Sequence, residues 1–410
     1  MSRKKKDKLK IDAEAYERMK RHLYSKKPVL GEDSPFSELL QEMVNTILEG
    51  EMDSHLEEEK LEGKKNKRNG RGRKRVMSDT GMLEISPPRD RTGSFEPEII
   101  GKRDRVLTSG MDAQILALYA QGNSVEDVRR LLKSMFGVEI SAGKISQITD
   151  RVLPEIQEWR SRRLHSFYSI VYLDAIHFKV RHDGKYSTRA FYTCYGVDWH
   201  GQRDLLGLYI QPAEGASRWG LVLEDLKQRG VEDIFVVCTD DLTGFSEVIE
   251  TVFPETIIQK CIVHQVRSSL KYVDEKDRKA VAKSLRTIYT SPTEESAQSA
   301  LEAFAVEWGD KYEYIVKQWR KKWDELTAFY AFEGPIRRMI YTTNPVEALH
   351  RIMRKLVKSK AAWVSETALL KQIYLSLMHN EKSWKRKAYN WKTIQRNLLK
   401  NYPERMKRWI

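Results

Sequence analysis

The stretch Ile170-Val171-Tyr172-Leu173-Asp174 decides how this chain is interpreted. Its β-branched and aromatic residues predict a buried strand, and a carboxylate closes the run. A second apolar run, residues 234–239, is closed by Asp240. Because apolar residues continue beyond Asp174, that carboxylate would lie within a sheet, where a charge without a metal or a cationic partner is costly. The simpler alternative is an aspartate that caps a turn.

The order of strands and helices after residue 166 predicts the fold class. Three strands, at residues 168–180, 186–197 and 202–210, precede a helix, a strand, a second helix and a last strand at 256–263. This order is typical of an α/β protein with a ribonuclease-H-like mixed sheet. Residues 265–340 are rich in Trp, Tyr and Lys, and they predict an all-α insertion that interrupts this core.

The charge balance predicts a polyanionic partner. Lys plus Arg number 72 and Asp plus Glu 58, which gives a formal net charge of +14. Double-stranded DNA suits this balance, whereas a membrane does not, because no apolar run approaches the roughly 18 residues of a spanning helix. One block of cations repels itself and is not expected to fold alone, and we expect it to contact DNA. Its members are Lys64, Lys65, Arg68, Arg71, Arg73, Lys74 and Arg75.

The three cysteines, at positions 194, 238 and 261, are too few and too scattered for a disulfide framework. The basic N-terminus does not lead into the apolar segment of a secretory signal. A cytosolic protein is therefore expected.

Residues 110–153 have the pattern of three short helices. The third begins at Ser141 and would point Lys144, Gln147 and Arg151 away from its apolar side. A compact set of three helices whose last member carries outward basic and amide side chains matches a helix-turn-helix that reads DNA. An ordinary helical bundle is the alternative.

Changes in composition predict six regions. They are an N-terminal helix and basic arm (1–75), a helical DNA-binding region with the helix-turn-helix (76–165), the first part of the ribonuclease-H-like core (166–264), the insertion (265–340), the final core helices (341–380) and a basic aromatic tail (381–410). Within the first region, Ser34-Pro35 predicts the start of a helix over about 36–61, whose apolar face needs a partner in this chain or in a second subunit. A hairpin is expected at 76–95, with Arg89 and Arg91 in its loop.

A third carboxylate belongs to a predicted helix start. In Asn344-Pro345-Val346-Glu347, Asn344 would cap the helix and Glu347 would complete a capping box. A second role is suggested by the side chains that share its face. Glu347, Arg351, Arg354 and Lys358 fall on one helical stripe, which would suit metal binding beside a phosphate backbone.

Three carboxylates on rigid elements can hold two divalent cations for phosphodiester chemistry. Mg²⁺ or Mn²⁺ prefers oxygen ligands, and two such ions can serve both the attacking and the leaving oxygen. Asp174, Asp240 and Glu347 are therefore the candidate catalytic and metal-binding residues. Asp241 follows Asp240 directly, and side-chain alternation alone does not decide which of the two contributes.

Two further patterns have weaker chemical meaning. Cys261 and His264 form a C-x-x-H pair at the predicted end of the last core strand. Zinc would need two more ligands, so a structural or site-shaping role is favoured. Trp323 lies among cationic residues of the insertion, where it would stack on unpaired DNA bases or pack in the helical core.

The chain resembles the Mutator-type transposases of bacterial insertion sequences. The resemblance covers nearly the whole sequence and includes the run 88–97 (PRDRTGSFEP), the run 259–267 (QKCIVHQVR) and Tyr341-Thr342-Thr343-Asn344 before Glu347. It implies Asp174, Asp240 and Glu347 as the acid triad, the C-x-x-H pair as a family signature, and a nucleoid-associated bacterial protein. Asp241 stands where the family commonly has Gly, and Pro345 and His350 replace a usual small residue and Asn.

These observations together predict a DNA transposase. It would bind terminal inverted repeats, hydrolyse the phosphodiester at the end of the mobile element, and join the 3′-hydroxyl to target DNA. Pairing two ends requires at least a homodimer, and the helix at 36–61 is a candidate contact. A non-enzymatic helix-turn-helix regulator is the first alternative, and a tyrosine recombinase is the second.

Overall fold

The computed structural model describes residues 13–25, 34–78, 81–102, 110–136, 140–182, 184–341 and 344–409. The chain divides into two compact units, Met1–Arg151 and Val152–Ile410. No helix in the described ranges has both the length and the apolarity required to cross a bilayer. None of the three cysteines forms a disulfide.

The first unit combines helices with two small antiparallel sheets. Its elements are α1 (Ala13–Tyr24), α2 (Pro35–Leu61), β1 (Arg68–Arg71), β2 (Lys74–Ser78), β3 (Gly81–Ile85), β4 (Pro88–Asp90), α3 (Gly110–Ala120), α4 (Val125–Phe136) and α5 (Ala142–Asp150). The predicted start of α2 is confirmed, because the Ser34 hydroxyl accepts a hydrogen bond from the backbone N–H of Phe36 at 3.2 Å. Proline at the next position needs no helical N–H partner.

The strands of the first unit differ from the predicted single hairpin. β2 pairs with β3, while β1 pairs with β4, so Arg89 lies in a strand rather than in a loop. The basic block itself forms β1 and β2 because carboxylates offset its charge. Arg68 pairs with two acids of α2, Glu49 and Asp53. Arg75 pairs with Glu84 on β3 at 2.8 Å.

The apolar stripe of α2 finds its partner within the same chain. Val44 and Leu48 are buried together with Val76 and Leu83 of the β2–β3 hairpin and with Ile100. The adjacent stripe is open, since Met43 and Ile47 are 37% and 43% exposed. The hairpin therefore occupies one side of α2, and the adjacent side is partly exposed.

A buried hydrogen-bond network joins the end of α2 to the loop after β4. Asp90 is 6% exposed, and its Oδ2 accepts from the Asn66 amide (2.8 Å), the Thr92 hydroxyl (2.7 Å) and the Ser94 backbone N–H (3.0 Å). Asn66 also donates to Glu59 at 2.5 Å. Burial alone would raise the pKa of Asp90, but these donors hold it well below its ordinary value. The ionised carboxylate is thus an integral part of the first unit.

Replacing Asp90 by alanine should destabilise the first unit by about 3 kcal/mol, because several buried donors lose their acceptor. All ten tryptophans lie after residue 151, so tryptophan fluorescence follows only the second unit during urea unfolding. We expect the circular dichroism of the first unit to be lost at a lower urea concentration than in the wild type. The fluorescence transition of the second unit should occur at the same urea concentration in both proteins. Glu57→Ala, at an exposed position of α2, is the control and should behave like the wild type. Equal circular dichroism curves for both variants would contradict the structural role of Asp90.

Helices α3 to α5 confirm the predicted set of three. Ile115, Leu132, Ile145 and Ile148 share one buried cluster, and the Ser141 hydroxyl caps α5 by accepting from the backbone N–H of Lys144.

The second unit contains a five-stranded mixed sheet, which confirms the α/β class. Its first elements are α6 (Leu153–Ser161), β5 (Phe167–His182), β6 (Lys185–Asp198), β7 (Arg203–Gln211), α7 (Ala216–Gln228), β8 (Asp233–Thr239), α8 (Phe245–Val252) and β9 (Ile257–Lys260). The strand order is β7-β6-β5-β8-β9. The first three strands are antiparallel, whereas β8 and β9 run parallel to β5. β5 is therefore central and buried on both faces.

Helices cover both faces of this sheet. α7 and α8 pack on one face through residues such as Trp219 and Phe245. The other face carries the remaining helices, which confirms a helical character for residues 265–340. These helices are α9 (Ile262–Leu270), α10 (Arg278–Tyr289), α11 (Glu294–Lys321), α12 (Trp323–Thr327), α13 (Pro335–Ile340), α14 (Asn344–Ser359), α15 (Glu366–His379), α16 (Glu381–Trp384), α17 (Trp391–Asn401) and α18 (Pro403–Met406).

One expectation for this unit was wrong in detail. The last strand ends at Lys260 rather than at residue 263, because Cys261 takes the N-cap position of α9. The basic aromatic tail contains helices α16 to α18 and packs on the sheet. The Trp391 indole is 2% exposed and donates to the Trp199 carbonyl at 2.7 Å. It crosses so close to Gly201 that a Cβ there would lie 2.2 Å from its ring.

Candidate active site

The register of the sheet places Asp174 beside Asp240. The parallel pairing of β5 with β8 ends where Leu173 lies opposite Thr239. The next residue on each strand is an aspartate, and neighbouring strands are about 4.8 Å apart. The C-terminal edge of this strand pair therefore carries both carboxylates. On the other side of β5, Thr193 of the antiparallel strand β6 lies opposite Asp174.

The helical layer that contains α14 covers Asp174. His350 of α14 is 1% exposed, and its Nδ1 lies 3.4 Å from Oδ2 of Asp174. The sheet holds the end of α13 just before α14, because the Tyr172 hydroxyl donates to the Met339 carbonyl at 3.0 Å. The Cys238 thiol also donates to the Ile340 carbonyl at 3.4 Å. These contacts fix where the chain leaves the sheet edge to form α14.

Glu347 lies one helical turn before His350, about 4.5 Å along the helix axis. Its side chain is 41% exposed, and Oε1 lies 4.0 Å from a terminal guanidinium nitrogen of Arg267 on α9. The predicted apolar side of α14 is confirmed, since Val346, Leu349 and Met353 are fully buried. Arg351 and Arg354 are exposed, as the predicted cationic stripe requires. The side chain of Lys358 lies outside the described residues.

Burial and mutual repulsion destabilise the charged forms of both aspartates. The pKa of Asp174 is raised to about 7, chiefly by burial, with His264 opposing the shift and Asp240 adding to it. Burial raises the pKa of Asp240 to about 6, with Glu214 as the next cause. Burial lowers the pKa of His350 to about 3, so this imidazole is neutral at pH 7. The site thus places two buried carboxylates side by side, an arrangement that disfavours their charged forms.

Several polar atoms near this edge are buried yet lack a hydrogen-bond partner within the described part of the chain. They are Oδ1 of Asp240, Nδ1 of His264, Nε2 of His350, Oε1 of Glu214, Oγ1 of Thr193 and Oγ1 of Thr239. Unsatisfied buried polar atoms are uncommon, and a cluster of them needs an explanation such as a bound ion or water. The residues present therefore fit a divalent cation with oxygen ligands.

The three carboxylates do not converge on one point. Among the described residues, only His55, Glu59 and Asp90 of the first unit place three candidate ligand atoms within 4.8 Å of one another. That group differs from the sheet edge, because Asn66, Thr92 and Ser94 already donate to its carboxylates. Two ions that are 3.5–4 Å apart would allow ligands on opposite sides to be about 8 Å apart. A wider arrangement of the triad is therefore compatible with a site for two ions.

The structure distinguishes Asp241 from Asp240. Asp241 pairs with Lys322 and lies 3.3 Å from the Lys260 ammonium. Lys260 also pairs with Glu325 at 2.5 Å. This cluster of ion pairs fastens the junction of α11 and α12 to the ends of β8 and β9. Asp241 is thus occupied by structural contacts, whereas Asp240 retains an oxygen that has no hydrogen-bond partner among the described residues.

The C-x-x-H pair belongs to the first turn of α9. The backbone N–H of Cys261 donates to the Thr239 carbonyl at 2.8 Å, which holds the helix start against the end of β8. His264, one turn later, lowers the pKa values of both Asp174 and Asp240. This position supports a site-shaping role better than a zinc site.

Sequence reasoning missed three residues that border the acids. His350 lies one helical turn after Glu347, and Arg267 lies one helical turn after His264. This i, i+3 spacing is a signal that could have revealed both residues. Glu214 lies in the loop before α7. Its position depends on how β7 packs in the sheet, so no local pattern indicates it.

The predicted DNA-contacting side chains fall into two groups. Six of them are engaged within the protein. Lys64 pairs with Glu62, Arg68 with Glu49 and Asp53, Arg71 with Glu49, Arg75 with Glu84, and Arg151 with Asp112, while Lys74 donates to the Gly101 carbonyl. Lys65, Arg73, Lys144 and Gln147 are exposed. Trp323 is half-buried, and its indole donates to Glu294 at 3.0 Å, which favours a packing role.

Comparison with known proteins gives concordant similarities. The sequence profile described as "Transposase, Mutator family" matches residues 13–387. The transposase for insertion sequence element ISRM3 of Rhizobium meliloti (strain 1021) is 39% identical over 365 residues, covering 88% of this chain and 91% of that protein. A probable transposase for an insertion sequence element of Corynebacterium diphtheriae is 39% identical over 338 residues, covering 78% and 98%. The Drosophila P element transposase strand transfer complex aligns at 8% identity with a TM-score of 0.30, over 72% of this chain and 86% of that one. That likeness is too distant to bear on the fold.

Proposed function

This chain belongs to the Mutator family of transposases, as its sequence motifs predict, and from that premise we propose a DNA transposase of the acid-triad type. It binds the terminal inverted repeats of an insertion sequence, hydrolyses the phosphodiester at the element end, and joins the 3′-hydroxyl to target DNA. Asp174, Asp240 and Glu347 are the proposed catalytic and metal-binding residues. The proposed fold is a ribonuclease-H-like core with a helical insertion between β9 and α14.

One observation carries this proposal. Asp174 within β5 and Asp240 after β8 lie side by side where the parallel pairing of these two strands stops, among buried polar atoms that lack partners in the described chain. Such an arrangement is costly for a protein that only binds DNA, because buried like charges destabilise the fold. It is useful for an enzyme whose acids hold Mg²⁺ or Mn²⁺. When two such ions are bound, they supply an activated water and stabilise the leaving oxygen.

The surrounding residues orient the acids. The neutral His350 lies against Asp174 and limits the rotation of its carboxylate, as partners of metal ligands commonly do. Arg267 partly offsets the charge of Glu347. The exposed Arg351 and Arg354 continue along α14 and would contact phosphates flanking the scissile bond.

Other parts of the chain would grip DNA. Lys144 and Gln147 on α5 are exposed as a recognition helix requires, and Lys65 and Arg73 would contact the phosphate backbone. Two element ends require at least a homodimer. The exposed Met43 and Ile47 of α2 are candidate contacts between the two copies.

The test is a cleavage assay with the purified full chain and DNA that carries the element end. With Mg²⁺ we expect nicks at the element boundary with free 3′-hydroxyl groups. Excess chelator should lower the cleavage rate at least ~10³-fold, because the nucleophile and the leaving group both lose stabilisation. Binding without nicking under all conditions would favour the regulator. Nicking that survives the chelator and leaves protein covalently attached to DNA would favour the tyrosine recombinase.

A further inference from the structure

Glu214 lies beside the proposed site and belongs to none of the predicted catalytic residues. It sits in the short loop between β7 and α7. Tyr192 holds this loop on both sides, because its hydroxyl donates to the Ala213 carbonyl at 3.2 Å and accepts from the Gly215 backbone N–H at 3.0 Å. The Tyr192 ring stacks on Trp219 with the ring centres 4.1 Å apart. Glu214 is thus carried on a firmly anchored backbone.

The loop of Glu214 adjoins the loop that follows Asp240. A Cβ placed on Gly244 would lie 3.6 Å from the Cβ of Ala216, at the start of α7. Glu214 is close enough to raise the pKa of Asp240, second only to burial. His264 acts on the pKa values of both Glu214 and Asp240. The four groups Asp174, Asp240, Glu214 and His264 therefore form one electrostatic cluster.

One oxygen of the Glu214 carboxylate is available to bind a ligand. Its side chain is 18% exposed, and Oε2 lies 3.7 Å from Nε2 of His177. Oε1 is buried and has no hydrogen-bond partner in the described ranges. The Trp219 indole N–H faces Glu214 and lowers its pKa, but among the described residues it has no acceptor with good hydrogen-bond geometry. An oxygen in this position is suited to accept from bound water or to bind a cation.

We infer that Glu214 is a fourth carboxylate of the metal site, and this inference rests on the function proposed above. α7 covers the sheet face opposite to α14, so the loop of Glu214 leads into one helical layer and Glu347 belongs to the other. Two divalent cations carry four positive charges, whereas the triad supplies three negative charges. A fourth carboxylate balances the charge before DNA phosphate arrives and adds an oxygen ligand that Mg²⁺ needs for octahedral geometry.

Counting bound Mn²⁺ by electron paramagnetic resonance tests this inference in the full chain without DNA. We expect the wild type to bind two ions and Glu214→Gln to bind the weaker ion at least ~10-fold less tightly. The Mg²⁺ concentration for half-maximal cleavage should rise by a similar factor, with the lost rate largely recovered at saturating Mg²⁺. Glu214→Asp, which keeps the charge, should have an intermediate effect. Glu224→Gln, at an exposed position of the same helix, should match the wild type.

The outcomes separate this inference from the proposed function. If the wild type binds no Mn²⁺ and does not cut DNA, the proposed function fails. If the wild type binds two ions and cuts, and Glu214→Gln binds both ions with unchanged affinity, only the role of Glu214 is overturned. If Glu214→Gln does not fold, as judged by tryptophan fluorescence, Glu214→Asp decides, and unchanged Mn²⁺ affinity in that variant overturns the inference.

Discussion

Asp174→Asn should abolish metal-dependent DNA cleavage while it leaves DNA binding intact. The asparagine side chain fills the same space, so the buried surroundings of residue 174, which is 8% exposed, are preserved. It removes an anionic oxygen that a hard cation needs. We expect the single-turnover cleavage rate to fall at least ~10³-fold, equivalent to about 4 kcal/mol of activation free energy. DNA affinity should stay the same or tighten slightly, because no cation that contacts phosphate is lost.

The measurement pairs a cleavage assay with fluorescence anisotropy of labelled end DNA at one salt concentration. Asp310→Asn, an exposed position of α11, is a matched control and should cut like the wild type. Unchanged cleavage by Asp174→Asn would remove this residue from the catalytic machinery. Loss of both cleavage and DNA binding would instead indicate a folding defect, which the tryptophan fluorescence of the second unit would reveal.

The parts of the site that follow from local pattern were predictable. The apolar runs closed by Asp174 and Asp240 identify two strands of the sheet, because strand burial imposes a composition that is visible in the sequence. α14 was predicted from its cap residues and from the buried side formed by Val346, Leu349 and Met353. These features depend on neighbours within a few residues, so one sequence suffices to reveal them.

Features that depend on packing between distant segments were not predictable. Cys261-Ile262-Val263 resembles the continuation of a strand, yet it begins α9 because the Thr239 carbonyl anchors its first backbone N–H. In the basic block, acids of α2 offset Arg68 and Glu84 of β3 offsets Arg75, and no local pattern indicates these contacts. The C-terminal residues were interpreted as a tail, because their own sequence does not indicate that Trp391 contacts the β6–β7 turn.

The choice between two adjacent aspartates likewise required the tertiary structure. Alternation along β8 does not distinguish Asp240 from Asp241, whereas the partners of each residue do. Lys260 and Lys322 engage Asp241, and Asp240 keeps a buried oxygen without a partner in the described residues. The two residues should therefore differ in both activity and stability, in opposite directions.

Asp240→Asn should lose cleavage at least ~10³-fold and gain stability, whereas Asp241→Asn should lose stability and keep cleavage within about tenfold. Removing the charge of Asp240 removes the energetic cost of burying that charge and its repulsion with Glu214. The metal-free second unit should therefore be stabilised by about 1–2 kcal/mol. Removing the charge of Asp241 leaves Lys322 without its carboxylate and weakens the contacts of Lys260, at a cost of about 2 kcal/mol.

Urea unfolding followed by tryptophan fluorescence, with and without Mg²⁺, separates the two variants. Saturation of a native-state site at about 100 times the dissociation constant stabilises a protein by about 2.7 kcal/mol. We expect this Mg²⁺-dependent gain in the wild type and in Asp241→Asn, but not in Asp240→Asn, because only the last has lost a ligand. If Asp241→Asn loses the gain and Asp240→Asn retains it, the assignment of the two aspartates must be exchanged. Asp241 would then be the ligand, and its contacts with Lys260 and Lys322 would have to open when the ion binds.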